Sequence, residues 1–399
     1  MTTKNKDAVT CAKTKRKSTT KAQKTLKNNH QTPPEWSYYG SWDKLRIKNR
    51  LSVEHNKNNR VLSFTSNLMH NMRINDRIYG QEDINEPLLI DLINSKEIQR
   101  LKGISQQGMP QRYYHRPVYS RYEHSIGAMI LLKKLGAIIE EQVGGLLHDA
   151  SHKTFSHVID WVLGDPTKED YQDTNHVNMI ENSQIPVILG KHGLNSERVS
   201  DLEELSLLDK PTPSLCVDRF DYSIREKQYF GDDDLIQGIV MNLKNHNGNM
   251  VFKSKEQAEI FARGYMTCQI KHWAGNEAKA RYYLLSEVLK KALDKGIVTL
   301  TDFNKTDEYI ITLLKQSEDL YVLGVLNLLH SKKLDLEESR KGLILPKKFR
   351  YIDPEVLVDN QMISLSELSP DYKEVIQKAR KDSEEVKGII IKGLEGLII

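Results

Sequence analysis

The sequence predicts a mainly α-helical fold with one β-hairpin and a small mixed α/β part at the C-terminal end. Three observations carry this. Apolar residues recur with a helical period from about Pro87 onward. Ser120 and Ser254 stand three residues before Glu123 and Gln257, the spacing that opens a capped helix. Two short apolar runs meet at Asn247–Gly248, a tight-hairpin signal.

The elements follow in order. "PLLIDLINSKEIQRLKGI" places Leu88, Leu89, Leu92, Ile93, Ile98 and Leu101 near one broad helical face. "GMPQRYYHRP" is a loop, punctuated by Gly and two prolines. The helix opened by Ser120 has a buried side formed by Ile126, Met129, Ile130, Leu132 and Leu135. A further helix, "AIIEEQVGGLLHD", ends near Ala150–Ser151. After the hairpin, the helical pattern returns from Ser254. In the last fifty residues "KKFRYIDPEVLV" and "GIIIKGLEGLII" read as short strands.

Composition bounds the function. The chain has 399 residues, 39% hydrophobic and 28% charged, ordinary values for a soluble globular protein. No apolar run is long enough to span a bilayer, and no secretory segment is expected. Cys11, Cys216 and Cys268 are widely separated, which fits a reduced, cytoplasmic setting and gives no disulfide framework or thiolate zinc site. The net charge of +4 hides an asymmetry: residues 1–30 hold nine basic residues and one acid, a local +8, so the remainder is −4. The body therefore lacks a global nucleic-acid footprint. Within the tail, "KTKRK" (Lys13–Lys17) reads as a solvated segment first, and as a nuclear address or weak polyanion-binding arm second. Neither GxxxxGK[ST] nor GxGxxG occurs.

The chemistry concentrates in "GLLHDASHKTFSHVID", Gly145–Asp160, where His148, His152 and His157 fall within ten positions. His148 and Asp149 are adjacent, so both could face one ion only near a helix end. His124, one turn inside the Ser120 cap, is the first partner to seek. An antiparallel hairpin of the two helices is expected to need an intervening turn to reposition their ends. A dication held by His124, His148 and Asp149 still wants an oxygen ligand, and "LCVDRFDYSIRE" offers Asp218 and Asp221 on one helical face. Such a set suits one divalent ion among Mn, Fe, Zn, Mg and Ni without choosing between them. Open positions would take water, acidified enough to serve as a nucleophile near neutral pH. His157 and Asp160 share a helical face, where the carboxylate would fix the tautomer and favour the imidazolium, making His157 a proton donor to a leaving group. His152 and His176 are further candidates for a phosphate contact. Taken singly, each of these histidines is more often a core or surface residue. Their joint occurrence in order within one helical region is what favours a site.

"RYEHSIGA…GLLHDASHKTFSHVID…CVDRFDY" resembles the HD-domain metal-dependent phosphohydrolases, in particular the branch around the deoxynucleoside triphosphate triphosphohydrolases. The likeness runs from about Pro87 to Glu226 and weakens toward Leu293. It implies an HD-domain helical core, a nucleotide substrate, a homo-oligomer, and His124, His148, Asp149 and Asp218 as the metal ligands. It further implies His157 with Asp160 as the general-acid pair and His176 as a phosphate contact. Gln106, Arg121 and Tyr222 match positions lining the nucleotide pocket, and Asp221 becomes a supporting residue. Arg219 is a candidate for a phosphate clamp, and Lys271, His272 and Tyr282 fall in the expected later helix. The chain departs from the branch at Lys153 and Thr154, in "HKTFSH" for the usual "HGPFSH". Gln107 stands where an apolar residue is usual and Glu226 where a shorter Asp is usual. These two bear on sugar discrimination, because a polar side chain pairs with a hydroxyl that an apolar wall rejects.

The expected organisation is a disordered basic tail (1–35), an HD phosphohydrolase domain (36–293, motif core 120–226) and a C-terminal α+β subdomain (294–399). The expected activity is hydrolysis of a nucleotide phosphoester or phosphoanhydride, with a dNTP triphosphohydrolase as one form. A 5′-nucleotidase or phosphodiesterase of the same superfamily is the first alternative. A nucleotide-sensing or nucleic-acid-binding module is the second.

Overall fold

The computed structural model describes residues 71–346 and 348–397. The basic tail, and the expectations attached to it, lie outside the described residues.

The described chain opens with a hairpin of β1 (Met72–Asp76) and β2 (Gly80–Ile84), which the sequence reading did not identify. The run expected as one helix is two, α1 (Pro87–Ile93) and α2 (Lys96–Arg100). Ser95 divides them because its hydroxyl accepts the Ile98 N–H and caps the second. Next come α3 (Arg121–Lys134) and α4 (Ile139–Leu147). Short helices follow: α5 (Asp160–Leu163), α6 (His176–Glu181), α7 (Ile185–Lys191) and α8 (Ser196–Ser200). Then come α9 (Val217–Ile224) and α10 (Asp233–Met241).

The hairpin expected at Asn247–Gly248 is β3 (Leu243–His246) with β4 (Asn249–Phe252). Both turn residues have left-handed backbone, φ +54 and +77, as a two-residue hairpin turn requires. Helix α11 (Lys255–Cys268), capped by Ser254, passes through a π-helical turn into α12 (Asn276–Asp294). The chain continues with α13 (Asp307–Gln316), α14 (Leu320–Leu329), β5 (Leu336–Leu343), β6 (Glu355–Val358), β7 (Gln361–Ser364), α15 (Leu365–Leu368), α16 (Pro370–Glu384) and β8 (Ile389–Ile391). Strand β6 pairs parallel with β4, giving a four-stranded sheet in the order β3-β4-β6-β7, and β5 pairs with β8. The two C-terminal runs expected as strands contain β6 and β8, while α16 lies between them.

Helix α3 is the centre of the molecule. Ser125 to Leu132 are all buried, so the single apolar side expected for it is a helix packed all round. Helices α4 and α9 flank it. Gly127 permits the approach of α9, because a side chain there would collide with Asp221 and Arg225. A second apolar cluster gathers α12, α13, α14 and β8 with Phe155 and Val158. The metal-site candidates come from α3, the end of α4 and the start of α9. Among the described residues no helix is long and apolar enough to cross a membrane.

Candidate metal centre

The start of α3 is fixed by its cap. Ser120 Oγ accepts the Glu123 N–H at 3.2 Å, and Glu123 Oε2 accepts the Ser120 N–H at 2.9 Å. His124 follows, ten residues before the end of α3, and His148 stands nine residues after the start of α4. In a tightly turned helical hairpin these positions lie side by side. No intervening turn is needed to reposition the ends, contrary to the expectation above. His148 caps α4, and the backbone has left the regular helix at Asp149. That irregularity lets two adjacent side chains face one point.

Four ligating groups converge there. His124 Nε2 lies 3.0 Å from His148 Nε2, 2.9 Å from Asp218 Oδ1 and 3.6 Å from Asp149 Oδ2. His148 Nε2 lies 3.4 Å from Asp218 Oδ1 and 3.7 Å from Asp149 Oδ1. The opposite ring nitrogens fix the tautomers. His124 Nδ1 is 2.7 Å from Asp221 Oδ1, and His148 Nδ1 is 2.8 Å from the Gly145 carbonyl oxygen. Each Nδ1 therefore carries the proton and donates it, leaving both Nε2 lone pairs aimed at each other and at two carboxylates. Buried lone pairs converge in this way only around a cation or a trapped proton. Ligands about 2.1 Å from one ion stand about 3 Å apart at adjacent positions, which matches these spacings. The residues present fit a divalent ion.

The electrostatics agree. Burial lowers the His124 pKa, but hydrogen bonds to Asp218 and Asp221 outweigh it and raise the imidazole to about 10. Asp218 moves the opposite way: burial raises it, and the two histidines hold it far below the usual carboxylate range. Burial also raises Asp149, and Arg121 Nη1, 2.6 Å from Asp149 Oδ2, leads the charges that hold it well below that range.

Asp221, first weighed as a ligand, instead supports His124. Arg225 Nε donates to it at 2.7 Å, and Arg225 Nη2 donates to Asp76 at 2.8 Å. The four side chains form a buried chain from β1 to the centre, and removing one partner would strand a charge at a cost of about 3–5 kcal/mol.

The segment after Asp149 is turned sharply by Phe155 and Ser156, with φ +63 and +46. Such backbone costs about 1–3 kcal/mol per residue and persists only where neighbours enforce it. Asp307 enforces it, accepting the Phe155 N–H at 2.8 Å and the Ser105 N–H at 2.9 Å. Ser156 Oγ donates to the Ser105 carbonyl and accepts from Arg121 Nε at 2.8 Å. The bend sets His157 close to His152, with ring centroids 5.1 Å apart.

No family model matches the chain. Relatives do. The chain is 33% identical over 294 residues to the metal-dependent phosphohydrolase cns2 of Cordyceps militaris, covering 71% of this chain and 84% of that one. The chain belongs to the HD-domain metal-dependent phosphohydrolases. It is also 38% identical over 328 residues to the uncharacterized protein YdhJ of Bacillus subtilis, covering 81% of this chain and 100% of that one. A likeness of 25% over 350 residues reaches the deoxynucleoside triphosphate triphosphohydrolase SAMHD1 homolog of Dictyostelium discoideum, covering 76% of this chain and 64% of that one. The fold matches a phosphohydrolase from Bacteroides thetaiotaomicron with a TM-score of 0.58 at 18% identity, over 80% of this chain and 99% of that one.

In this phosphohydrolase the four metal-site residues border a cavity of about 370 Å³; three of them, His148, Asp149 and Asp218, line it directly. Gln106, Arg121, His152, Arg219 and Tyr222 line it as well. Arg121 is buried, and its Nη2 has no protein partner. His152 Nε2 is 3.2 Å from Asp149, and burial holds its pKa well below the ordinary value. His157 Nδ1 is 3.2 Å from Asp160 Oδ2, and Asp160 Oδ1 accepts the Tyr171 N–H. The pair stands on a 3-10 turn and the first residue of α5. The imidazolium expected at His157 is not favoured: burial lowers its pKa and Arg121 adds to this, outweighing Asp160. His176 is buried with Nδ1 3.4 Å from Ser151 Oγ and Nε2 unpartnered, and burial lowers its pKa to about 4. Arg219 departs from the clamp expected of it. Its fork is spent on the Ser214 and Lys210 carbonyls, at 2.5 and 3.0 Å.

Gln107 and Glu226 also line the cavity, and their side chains hydrogen-bond at 2.9 Å. Burial raises Glu226 to about 7; Gln107 and Arg116 lower it only partly, and His272 Nδ1 lies 3.5 Å away. The folded state therefore holds this proton between about pH 4.5 and 7 while the unfolded state has released it. Stability from this group falls as pH rises through that window. Glu226→Gln should accordingly stabilise the phosphohydrolase above pH 7.5 by up to about 3 kcal/mol and have little effect at pH 4.5. Urea denaturation at the two pH values checks this; an effect equal at both would refute it.

Proposed function

We propose that this phosphohydrolase cleaves a phosphoester or phosphoanhydride of a nucleotide. One observation carries the reading: the cavity bordered by the four ligating groups is also lined by Tyr114, Tyr119, Tyr222, Trp273 and Tyr282. The ligating end suits a phosphate, and aromatic walls suit a planar base. The names of the triphosphohydrolase relatives favour the same class.

His124, His148, Asp149 and Asp218 would hold one divalent ion. When bound, the ion supplies Lewis-acid polarisation of a phosphoryl oxygen and acidifies water. The chain's own residues do the rest. Arg121 neutralises Asp149 with Nη1 and offers Nη2 to a phosphate oxygen. His176 is neutral, so its unpartnered Nε2 can offer an N–H without adding charge, while His152, also neutral, donates its one N–H from Nε2 to Asp149 and steadies that carboxylate. Asp160 orients His157, which passes a proton from Nε2 to the leaving oxygen. An arriving phosphate supplies the negative charge that raises its pKa for this task.

The test is a nucleotide panel with product identification, run on the metal-loaded protein. Inorganic triphosphate marks a triphosphohydrolase, orthophosphate a 5′-nucleotidase, and a nucleoside monophosphate from a cyclic or dinucleotide a phosphodiesterase. Absence of turnover across the panel, with turnover of a phosphate ester lacking a base, would sink the nucleotide assignment.

A further inference from the structure

The substrate contacts considered so far come from residues before Ala292, yet one wall of the cavity belongs to the C-terminal segment. Pro346, Lys348 and Arg350 line it. This segment is braced from behind. Gln269 Nε2 donates to the Lys348 carbonyl at 2.7 Å. The Phe349 and Tyr351 rings stack with centroids 5.8 Å apart, and Arg380 of α16 lies over both, 5.8 and 4.9 Å from their centroids. The backbone at residue 350 is thereby fixed, and the Arg350 side chain reaches the cavity.

There its guanidinium pairs with the Glu169 carboxylate. Glu169 also lines the cavity, and its backbone is left-handed at φ +56, an uncommon conformation for a residue with a side chain. Lys348 Nζ reaches the neighbouring Lys168 carbonyl. Two segments nearly 180 residues apart thus close one side of the cavity through a single ion pair and one hydrogen bond. The pair is only partly buried, with side chains 22% and 14% exposed, so a soluble anion can reach it. Arg350 and His157 line the same cavity, and the Arg350 charge adds to the burial that keeps that imidazole neutral.

We propose that Arg350 binds a phosphate of the substrate, and that Glu169 is an internal carboxylate that occupies its fork until the phosphate displaces it. The inference rests on the ligating cluster being the reaction centre. A phosphate carries more charge and more acceptor oxygens than a carboxylate, so it competes for a guanidinium that a single partly exposed carboxylate holds. Displacing Glu169 would leave the Lys348–Lys168 hydrogen bond as the remaining tie described between residues 165–172 and the C-terminal segment, loosening that side as substrate enters.

Opposite signs distinguish this from a purely structural tie. The probe is inorganic tripolyphosphate, titrated calorimetrically into the full-length, manganese-loaded protein, with kcat and KM measured on the best nucleotide from the panel. Arg350→Gln should weaken tripolyphosphate binding at least ~10-fold and raise KM with it. Glu169→Gln should tighten binding several-fold and lower KM, and Arg350→Lys should fall between wild type and Arg350→Gln. A structural tie predicts that Arg350→Gln and Glu169→Gln weaken binding alike, with equal losses of thermal stability, and that result would overturn the proposal. Unchanged binding in Arg350→Gln, or no binding by the wild type, would overturn it too. Opposite shifts in a protein that hydrolyses no nucleotide would uphold Arg350 as a phosphate site while removing the nucleotide reading.

Discussion

Alanine at His148 should remove the metal and the hydrolysis together. The imidazole supplies one of four converging donors, and its Nδ1–H is anchored on the Gly145 carbonyl. Without it, His124, Asp149 and Asp218 retain a pattern too open to hold an ion tightly. A buried carboxylate and a partly exposed one would then face one histidine. Turnover should fall by about 10³-fold or more, since both Lewis-acid polarisation and acidified water are lost. Metal analysis of the purified variant should find well under half the wild-type content. His157→Ala is the matched contrast, because His157 contacts Asp160 and not the ligating cluster. It should keep its metal and lose about 10²–10⁴-fold in kcat, the usual scale for a general acid. A His148→Ala protein with full metal content would refute the ligand assignment.

Arg121→Lys should cost nearly as much in rate while sparing the metal. The guanidinium makes three uses of one fork: Nη1 to Asp149, Nε to Ser156, and Nη2 free beside the cavity. A lysine ammonium can neutralise Asp149 but cannot also hold the Ser156 hydroxyl and present a third donor. The left-handed turn at Phe155–Ser156 would lose one restraint, and the phosphate one donor. The expected loss is about 10²–10³-fold in kcat, typical of removing one positioned donor. Steady-state kinetics with parallel metal analysis tests this. A variant within a few-fold of wild type would mean that Arg121 serves only to neutralise Asp149.

The candidate ligating residues were legible because they sit at three helix ends, of which the first is announced by its own cap. Ser120 and Glu123 mark the start of α3, and the histidine one turn inside it follows from that spacing. Asp218 and Asp221 were separable only in three dimensions, where one turns to the cluster and the other to Nδ1 of His124. The hairpin β1–β2 was missed because "MRIND" and "GQEDI" are short and mostly polar, with only Met72, Ile74 and Ile84 turned to the core. Nothing local in the sequence shows that the carbonyls of Lys210 and Ser214 curl back around Arg219. Asp307 and Arg350 carried no signal at all. Each acts on the site across more than 150 residues of chain, one bracing the Phe155 turn and the other walling the cavity. Long-range placement of single polar residues leaves no periodicity to read.

The central claim is that two imidazoles and two carboxylates share one cation. Anomalous diffraction from crystals grown with manganese measures this directly. One strong peak is expected about 2.0–2.3 Å from the Nε2 atoms of His124 and His148 and from one oxygen each of Asp149 and Asp218. No peak among these four groups in a catalytically competent crystal, or a metal bound elsewhere while His124 and Asp218 share only a proton, would contradict it.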